Sequence, residues 1–150
     1  MKLVSRLFQL AVILVVSMGL AGACMAQEPA PAKLKITVTV TGIRYATGNI
    51  RVGLYSDANT VVQGKVVEID PKTLTATAVF ENVAVGTYGV GVIHDENKND
   101  KLDFNEDGVP VEGYGHSNNP EKRPGPPNWD EYRFVVEKDT ALEIRLIYWL

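Results

Sequence analysis

Apolar and polar side chains alternate along most of the chain after residue 33. In the first such run Leu34, Ile36, Val38 and Val40 alternate with lysine and threonine residues, and Gly42 ends the run. A repeat of two residues is typical of a strand that buries one face. Runs of this kind predict seven short strands, which cover residues 34–40, 50–54, 61–69, 74–80, 88–92, 132–136 and 142–148. Because turns separate these runs and no helical repeat occurs among them, we expect an all-β, antiparallel sandwich of about seven strands.

The same alternation identifies the side chains that should form the core. The run at 61–69 is the least regular and should lie at a sheet edge. In the strand at 88–92, Gly89 and Gly91 leave one face without side chains, which indicates a bulge or the close approach of another group. We expect buried side chains at Ile36, Val38, Val52, Leu54, Phe80, Tyr88, Val90, Val92, Phe134 and Leu146.

Residues 1–26 have the composition of a cleaved signal peptide. A short basic start with Lys2 and Arg6 precedes an almost wholly apolar run, and small residues follow it. This order is typical of secretory signals, whose apolar segment is too short for a stable membrane span. Cleavage is expected after Ala26, with Ala23 as the alternative.

The expected mature protein is one exported domain, periplasmic or secreted, without a transmembrane span. Residues 27–33 contain two prolines and predict a linker. Residues 34–150 form the sandwich, with a long loop region at 94–131. The one cysteine, Cys24, leaves with the signal peptide unless it carries a lipid, so a lipoprotein is the alternative localisation.

Charge and cysteine content exclude several classes of function. Loss of the signal peptide leaves 13 of the 15 basic residues against 18 acidic ones, a net charge of −5. A mildly acidic chain without a basic cluster is a poor nucleic-acid binder. A mature chain without cysteine can hold neither a catalytic thiol nor a thiolate metal site.

Oxygen-bearing side chains recur at fixed spacing between residues 95 and 106. Counted from the first of them, positions 1, 3, 5, 9 and 12 are Asp95, Asn97, Asn99, Asp103 and Glu106. An EF-hand loop has this spacing, and its position 7, here Lys101, contributes only a backbone carbonyl. We therefore expect these six residues to bind Ca²⁺ in a loop that joins strands instead of helices.

Two features of the loop differ from an EF-hand. Position 6 is normally glycine because its φ is positive, and here it is Asp100, which adopts that conformation at some cost. An EF-hand loop is followed by a helix, whereas the sequence Gly108-Val109-Pro110 after this loop cannot continue as a helix. The alternative interpretation is an acidic, asparagine-rich turn that binds nothing, because such residues favour turns.

The segment from Gly113 to Trp129 is a second candidate for binding, because a loop of this length is often functional or disordered. Tyr114 and Trp129 could offer aromatic surfaces to a glycan, a peptide or an envelope protein, and Asn118 and Asn119 could offer amide groups. Alternatively, the two aromatic side chains hold the loop against the sandwich.

Enzymatic chemistry would have to use the two histidines. His94 and His116 with a carboxylate could bind Zn²⁺ and leave a position open for water, as in a metal-dependent hydrolase. His94, however, continues the inward face of the 88–92 strand, which favours a histidine at the core edge. Ser117 has no evident base or oxyanion partner. We expect no catalytic residues and keep the zinc hydrolase as the alternative.

Two groups of residues resemble known families. Phe80-Glu81-Asn82-Val83 followed by Gly86-Thr87-Tyr88 resembles a corner of transthyretin-like and carboxypeptidase-regulatory-like sandwiches, where the Phe and Tyr pack into the core and glycine makes the turn. A longer set of motifs resembles the exported bacterial family of unknown function numbered 2141, over roughly residues 34–148. Its motifs here are His94-Asp95-Glu96-Asn97, Lys101-Leu102-Asp103, Gly108-Val109-Pro110, Glu112-Gly113-Tyr114-Gly115 and Ser117-Asn118-Asn119.

The second resemblance implies an exported protein with an Ig-like or transthyretin-like sandwich and no established activity. Members of that family usually carry glycine where Asp100 stands and an aromatic residue, commonly phenylalanine, where His116 stands. Together the patterns predict an exported, non-enzymatic accessory or binding module stabilised by Ca²⁺. A purely structural envelope protein is the other alternative.

Overall fold

The computed structural model describes residues 33–149 as eight strands and one helical turn. The predicted signal peptide with Cys24 and most of the predicted linker lie outside the described residues. In chain order the elements are β1 (Leu34–Thr41), β2 (Asn49–Tyr55), β3 (Val61–Val67), β4 (Ala76–Val83), β5 (Gly86–Asp95), β6 (Tyr114–His116), α1 (Trp129–Tyr132), β7 (Arg133–Val136) and β8 (Thr140–Arg145).

The strands form two sheets, one with the order β4-β1-β8 and one with the order β3-β2-β5-β6. In the second sheet β7 also pairs with β5, at Gly86–Gly89, so that β6 and β7 pair with successive parts of the same strand. All of these pairs are antiparallel except β1 with β8, which is parallel. The all-β sandwich predicted from the alternation is confirmed, and β3 lies at a sheet edge as expected.

The core lies between the sheets and consists of the inward side chains of their strands. Phe80 is its largest member and is fully buried, with β1 supplying Ile36, Val38 and Val40. Of the ten predicted core residues, Tyr88 and Phe134 are only half-buried, although both pack against the core. They lie opposite each other in the β5–β7 pair, and the Tyr88 hydroxyl donates to the Ala84 carbonyl oxygen at 3.1 Å.

Two elements were not predicted. β6 has only three residues, with Gly115 in the middle, which is too short for alternation to be visible. α1 is a single turn that begins after Asn128, whose N–H donates to the Glu131 carboxylate at 2.8 Å and whose carbonyl oxygen accepts from the Glu131 N–H at 3.0 Å. Both elements belong to the long loop region and lie against β5.

The outer face of the five-stranded sheet has a row without side chains. Gly64, Gly53 and Gly91 lie opposite one another in β3, β2 and β5, and His116 of β6 follows in the same row. A Cβ on Gly91 would lie 3.2 Å from the Tyr55 ring, and a Cβ on Gly89 would lie 2.6 Å from the Tyr132 ring. The close approach predicted for Gly89 and Gly91 is thus made by aromatic rings.

Candidate functional site

The acidic loop begins where β5 ends, at the buried Asp95. Its two carboxylate oxygens accept the backbone N–H groups of Asn99 and Asp100, both at 2.9 Å. These bonds curl the following backbone around the carboxylate. Asp100 has φ of 71°, so the left-handed conformation expected at loop position 6 is present.

The next alternate side chains continue the same network. The Asn97 and Asn99 side-chain oxygens accept the backbone N–H groups of Asn99 and Lys101, each at 3.1 Å. Their amide nitrogens both donate to one oxygen of Asp103, at 2.6 and 2.7 Å. Loop positions 1, 3, 5 and 9 therefore form one hydrogen-bonded cluster. The bond from Asn97 is the main reason why the pKa of Asp103 lies below its usual range.

Arg51 of β2 is a neighbour that the sequence did not identify. Its guanidinium donates to the Asp100 carboxylate and lies 3.9 Å from Asp95. Because β2 and β5 are adjacent, Arg51 lies on the outer face near the start of the loop. It neutralises part of the acidic charge without any metal.

The predicted closing ligand, Glu106, is not part of this cluster. It lies in an exposed turn in which Asn105 accepts from Asp107, Gly108 and Val109, and within residues 33–149 it makes no hydrogen bond or ion pair. The carboxylate that closes the loop is Glu112, which is buried. Its two oxygens accept the N–H groups of Glu96 at 2.9 Å and Asp103 at 3.1 Å.

The donor set suits a hard cation only in part. Within the described range no three His, Cys, Asp or Glu side chains are grouped closely enough to hold a metal ion. Asp95 and Asp103 supply two carboxylates, and the neighbouring amides could supply neutral oxygens. One further oxygen stands nearby: the buried Oδ1 of Asn49, which has no hydrogen-bond donor. Asn49 lies directly opposite Asp95 in the β2–β5 pair, so their side chains project from the same face.

The two histidines lie on opposite faces of the five-stranded sheet, so the zinc site proposed for them is not formed. His94 is buried on the core side, as its alternation with Val90 and Val92 predicted. Its Nε2 lies 2.7 Å from the Thr47 carbonyl oxygen, which can only accept, so Nε2 donates and Nδ1 accepts from the Tyr148 hydroxyl at 2.8 Å. Burial raises the pKa of Tyr148 to about 12, which keeps this hydroxyl protonated.

His116 lies on the outer face, beside a groove of about 470 Å³. Its lining includes residues of the segment from Leu102 to Pro110, Pro124–Pro126, and Gly91 of β5. Aromatic side chains supply much of the lining: Tyr55, Phe104, Tyr114, His116 and Trp149. Burial lowers the pKa of His116 to about 4, so the ring is neutral at pH 7.

Of the predicted ligand-binding residues, only Tyr114 lines the groove. Asn118 donates to the backbone of Glu131 and Arg133, and Asn119 bonds to the backbone of Glu143 and Arg145. These amide groups hold the long loop to its neighbours. Trp129 packs edge-on against Tyr132, over Gly89. The alternative reading, in which Trp129 holds the loop to the sandwich, agrees with this packing.

Sequence reasoning missed Tyr55, Phe104 and Trp149 in the groove, and Glu112 and Arg51 at the acidic loop. Gly91 was the sequence feature that indicated the groove, because it leaves one face of the 88–92 strand without a side chain at that position. No sequence pattern around Glu112 or Arg51 indicates their role, since each forms hydrogen bonds with residues distant in the chain.

Comparison with known proteins places the chain in a family without an assigned activity. No helix in the described part is long and apolar enough to cross a membrane. No curated protein matches the sequence. A fimbrial assembly protein from Parabacteroides distasonis is similar in structure, with 15% identity and a TM-score of 0.39, covering 79% of this chain and 53% of that one; the chain thus spans about half of that protein.

The family model described as "uncharacterized protein conserved in bacteria (DUF2141)" matches residues 38–144. This range contains most of the described strands, the acidic loop and much of the groove lining. The resemblance seen in the loop motifs is confirmed. The chain belongs to the DUF2141 family of uncharacterized bacterial proteins.

Proposed function

We propose that this protein is an exported, non-enzymatic binding module in which a Ca²⁺-stabilised loop shapes a binding surface. Export rests on the basic, apolar and small-residue order of residues 1–26. The observation that carries the proposal is the hydrogen-bonded cluster of Asp95, Asn97, Asn99 and Asp103. In it the side chains of four loop positions come together. The chain that leaves this cluster forms part of the lining of the groove.

The cluster supports a weak cation site. The two amide nitrogens now donate to one oxygen of Asp103. Turning the amides to present their oxygens to a cation would also break the bonds that those oxygens accept from the Asn99 and Lys101 backbone N–H groups, and this cost keeps the affinity low. Bound Ca²⁺ would interact with the carboxylates of Asp95 and Asp103. It would replace the amide N–H groups that now donate to the Asp103 carboxylate. A site with two carboxylates belongs with low-affinity extracellular sites, with Kd on the order of 10⁻⁴–10⁻³ M.

Asn49 supports the same proposal from outside the loop. A buried carbonyl oxygen without a donor costs about 1–3 kcal/mol, and a hard cation would remove that cost. The position of Asn49 opposite Asp95 suits this role. We therefore assign Asn49 as an oxygen ligand in place of Glu106, which lies in the exposed turn.

The test is thermal unfolding of the mature domain in chelator and in 10 mM Ca²⁺. At a tenfold to hundredfold excess over Kd, binding stabilises the folded state by roughly 1.4–2.7 kcal/mol. This corresponds to a rise in Tm on the order of 5–10 °C. Mg²⁺ should give a smaller rise, because it gives up its water reluctantly and prefers octahedral geometry.

Asp103→Asn should remove most of the Ca²⁺-dependent rise, and Asn49→Ala should reduce it. Asp107→Asn is the matched control, because Asp107 is an exposed aspartate of the same region outside the cluster. An equal Ca²⁺ response in the wild type, Asp103→Asn and Asp107→Asn would show that the loop is a turn without a metal function.

A further inference from the structure

We propose that the groove on the outer face binds a small, uncharged aromatic molecule that donates a hydrogen bond to His116. This inference rests on the proposed binding function and names the class of ligand. Its test is separable from that of Ca²⁺ binding, because the groove residues are not part of the acidic cluster.

The shape of the groove suits a flat ligand. Its lining has no side chain at Gly91, where the Tyr55 ring lies close to the backbone. Phe104 is part of the lining with 57% of its surface exposed, although large apolar side chains are usually covered. A volume of about 470 Å³ falls within the range of sites for single small molecules. An aromatic ring in such a groove would bury apolar surface on both of its faces.

The charges of the groove favour an uncharged ligand. Among its lining residues there is no lysine or arginine, and the one acid, Asp107, is exposed, so that solvent screens its attraction for a cation. His116 is uncharged near neutral pH because of its burial. An anionic ligand would therefore lose its water without gaining a cation, which is costly.

The polar groups explain why the ligand should carry a donor. The Tyr114 hydroxyl oxygen already accepts from the Trp149 indole N–H at 2.8 Å. His116 contacts the Tyr114 and Tyr132 rings, but its ring nitrogens form no hydrogen bond with residues 33–149. A neutral imidazole offers one acceptor and one donor. The lining side chains with free acceptors are thus the neutral His116 ring, the Tyr55 hydroxyl and the exposed Asp107 carboxylate. Of the two uncharged ones, the imidazole nitrogen is the stronger acceptor, because its lone pair is more basic than that of a phenol.

Two fluorescent probes with nearly the same skeleton test this assignment. N-phenyl-1-naphthylamine is uncharged and carries one N–H, and 8-anilinonaphthalene-1-sulfonate adds a sulfonate. The folded wild-type domain should bind the uncharged probe at least tenfold more tightly than the sulfonate. Tighter binding of the sulfonate would overturn the proposal, because it would require a cationic site.

Variants locate the binding in the groove. Gly91→Val should abolish binding of the uncharged probe, since the added side chain would occupy the lining at Gly91 and crowd the Tyr55 ring, which would lie 3.2 Å from its Cβ. Gly64→Val is the matched control, because Gly64 lies in the same row with open space above it, and it should bind as the wild type does. Phe104→Ala, an exposed position with little role in folding, should weaken binding several-fold.

His116→Phe keeps an aromatic ring and removes the acceptor, so it should lower the affinity for the uncharged probe by a few-fold to about tenfold. Each variant is first checked for the wild-type Ca²⁺-dependent change in Tm, so that a failure of the groove is separated from a failure of the loop. Equal probe affinities in the wild type, Gly91→Val and Phe104→Ala would overturn the proposal.

Discussion

Glu112 joins the two ends of the acidic loop through its carboxylate. It is 4% exposed, and its oxygens accept backbone N–H groups from Glu96 and Asp103. It forms no ion pair with a residue in the range 33–149. A buried carboxylate is retained in such a place because two donors satisfy it.

Glu112→Gln should destabilise the domain by about 1–3 kcal/mol, because an amide NH₂ would then face a backbone N–H in place of an acceptor. Equilibrium unfolding in urea measures the difference. Glu106→Gln, in the exposed turn, should stay within about 0.5 kcal/mol of the wild type. If both substitutions had the same small effect, Glu112 would not be what holds the loop closed.

Individual residues were predictable where the signal is local. Loop positions 1, 3, 5 and 9 follow from spacing alone, and the buried His94 follows from alternation along β5. Glu106, at position 12, lies outside the hydrogen-bonded cluster because the turn at Asn105–Val109 carries it away from the others. Arg51 and Glu112 could not be found from spacing, since strand pairing and chain return bring them to the loop.

At the scale of elements, α1 depends on a glycine in the strand beneath it. A Cβ on Gly89 would lie 2.6 Å from the Tyr132 ring and 2.7 Å from the Trp129 ring. The Ser117 hydroxyl donates to the Tyr132 carbonyl oxygen, and this bond holds the same turn to the sheet. The helical turn therefore cannot move away from β5 without breaking a buried hydrogen bond.

Gly89→Ala should destabilise the domain by about 1–3 kcal/mol through overpacking. It should also alter the near-ultraviolet circular dichroism of the aromatic rings. Gly64→Ala is the control, because nothing lies within 4 Å of its added Cβ. If Gly89→Ala and Gly64→Ala had the same stability and the same near-ultraviolet circular dichroism spectrum, the packing described for α1 would be contradicted.

Six of the seven predicted strands were found because each alternates more and less buried side chains over at least four residues. β3, which has no buried residue, was found from its apolar composition and the turns around it. β6 and α1 were not found, since neither a strand of three residues nor a single helical turn shows its period. Their positions come from contacts with β5 that pair distant parts of the chain. Loop–sheet contacts of this kind also build the groove, which explains why the strands were predictable and the groove was not.

At the scale of the whole molecule, the pH dependence of stability should report on His116. Burial lowers the pKa of this ring from 6.5 to about 4 in the folded state. The unfolded chain binds a proton near pH 6.5, so the contribution of the neutral ring is complete above that pH and is lost as the pH falls toward 4. At about 1.4 kcal/mol per pKa unit the loss is at most roughly 3.5 kcal/mol, and solvent access to the half-buried ring reduces it.

Carboxylates act in a lower range of pH. Hydrogen bonds lower the pKa values of Asp57, Asp70 and Asp103 from 3.8, and a pairing with Arg123 lowers that of Glu131 from 4.5. The stability they contribute is present above these ordinary values and is lost as the pH falls below them. The interval between pH 6.5 and 4.5 is therefore where His116 can be observed.

His116→Phe should flatten the decline in stability between pH 6.5 and 4.5, because phenylalanine fills the same space and binds no proton. Urea unfolding of both proteins at pH 7.0, 5.5 and 4.5, in chelator to remove any effect of Ca²⁺, measures the free energy of unfolding at each pH. The wild type should lose stability relative to the variant at each step of acidification down to pH 4.5. Parallel curves for the two proteins would mean that another group takes up the proton and that the His116 ring is not held neutral by its burial.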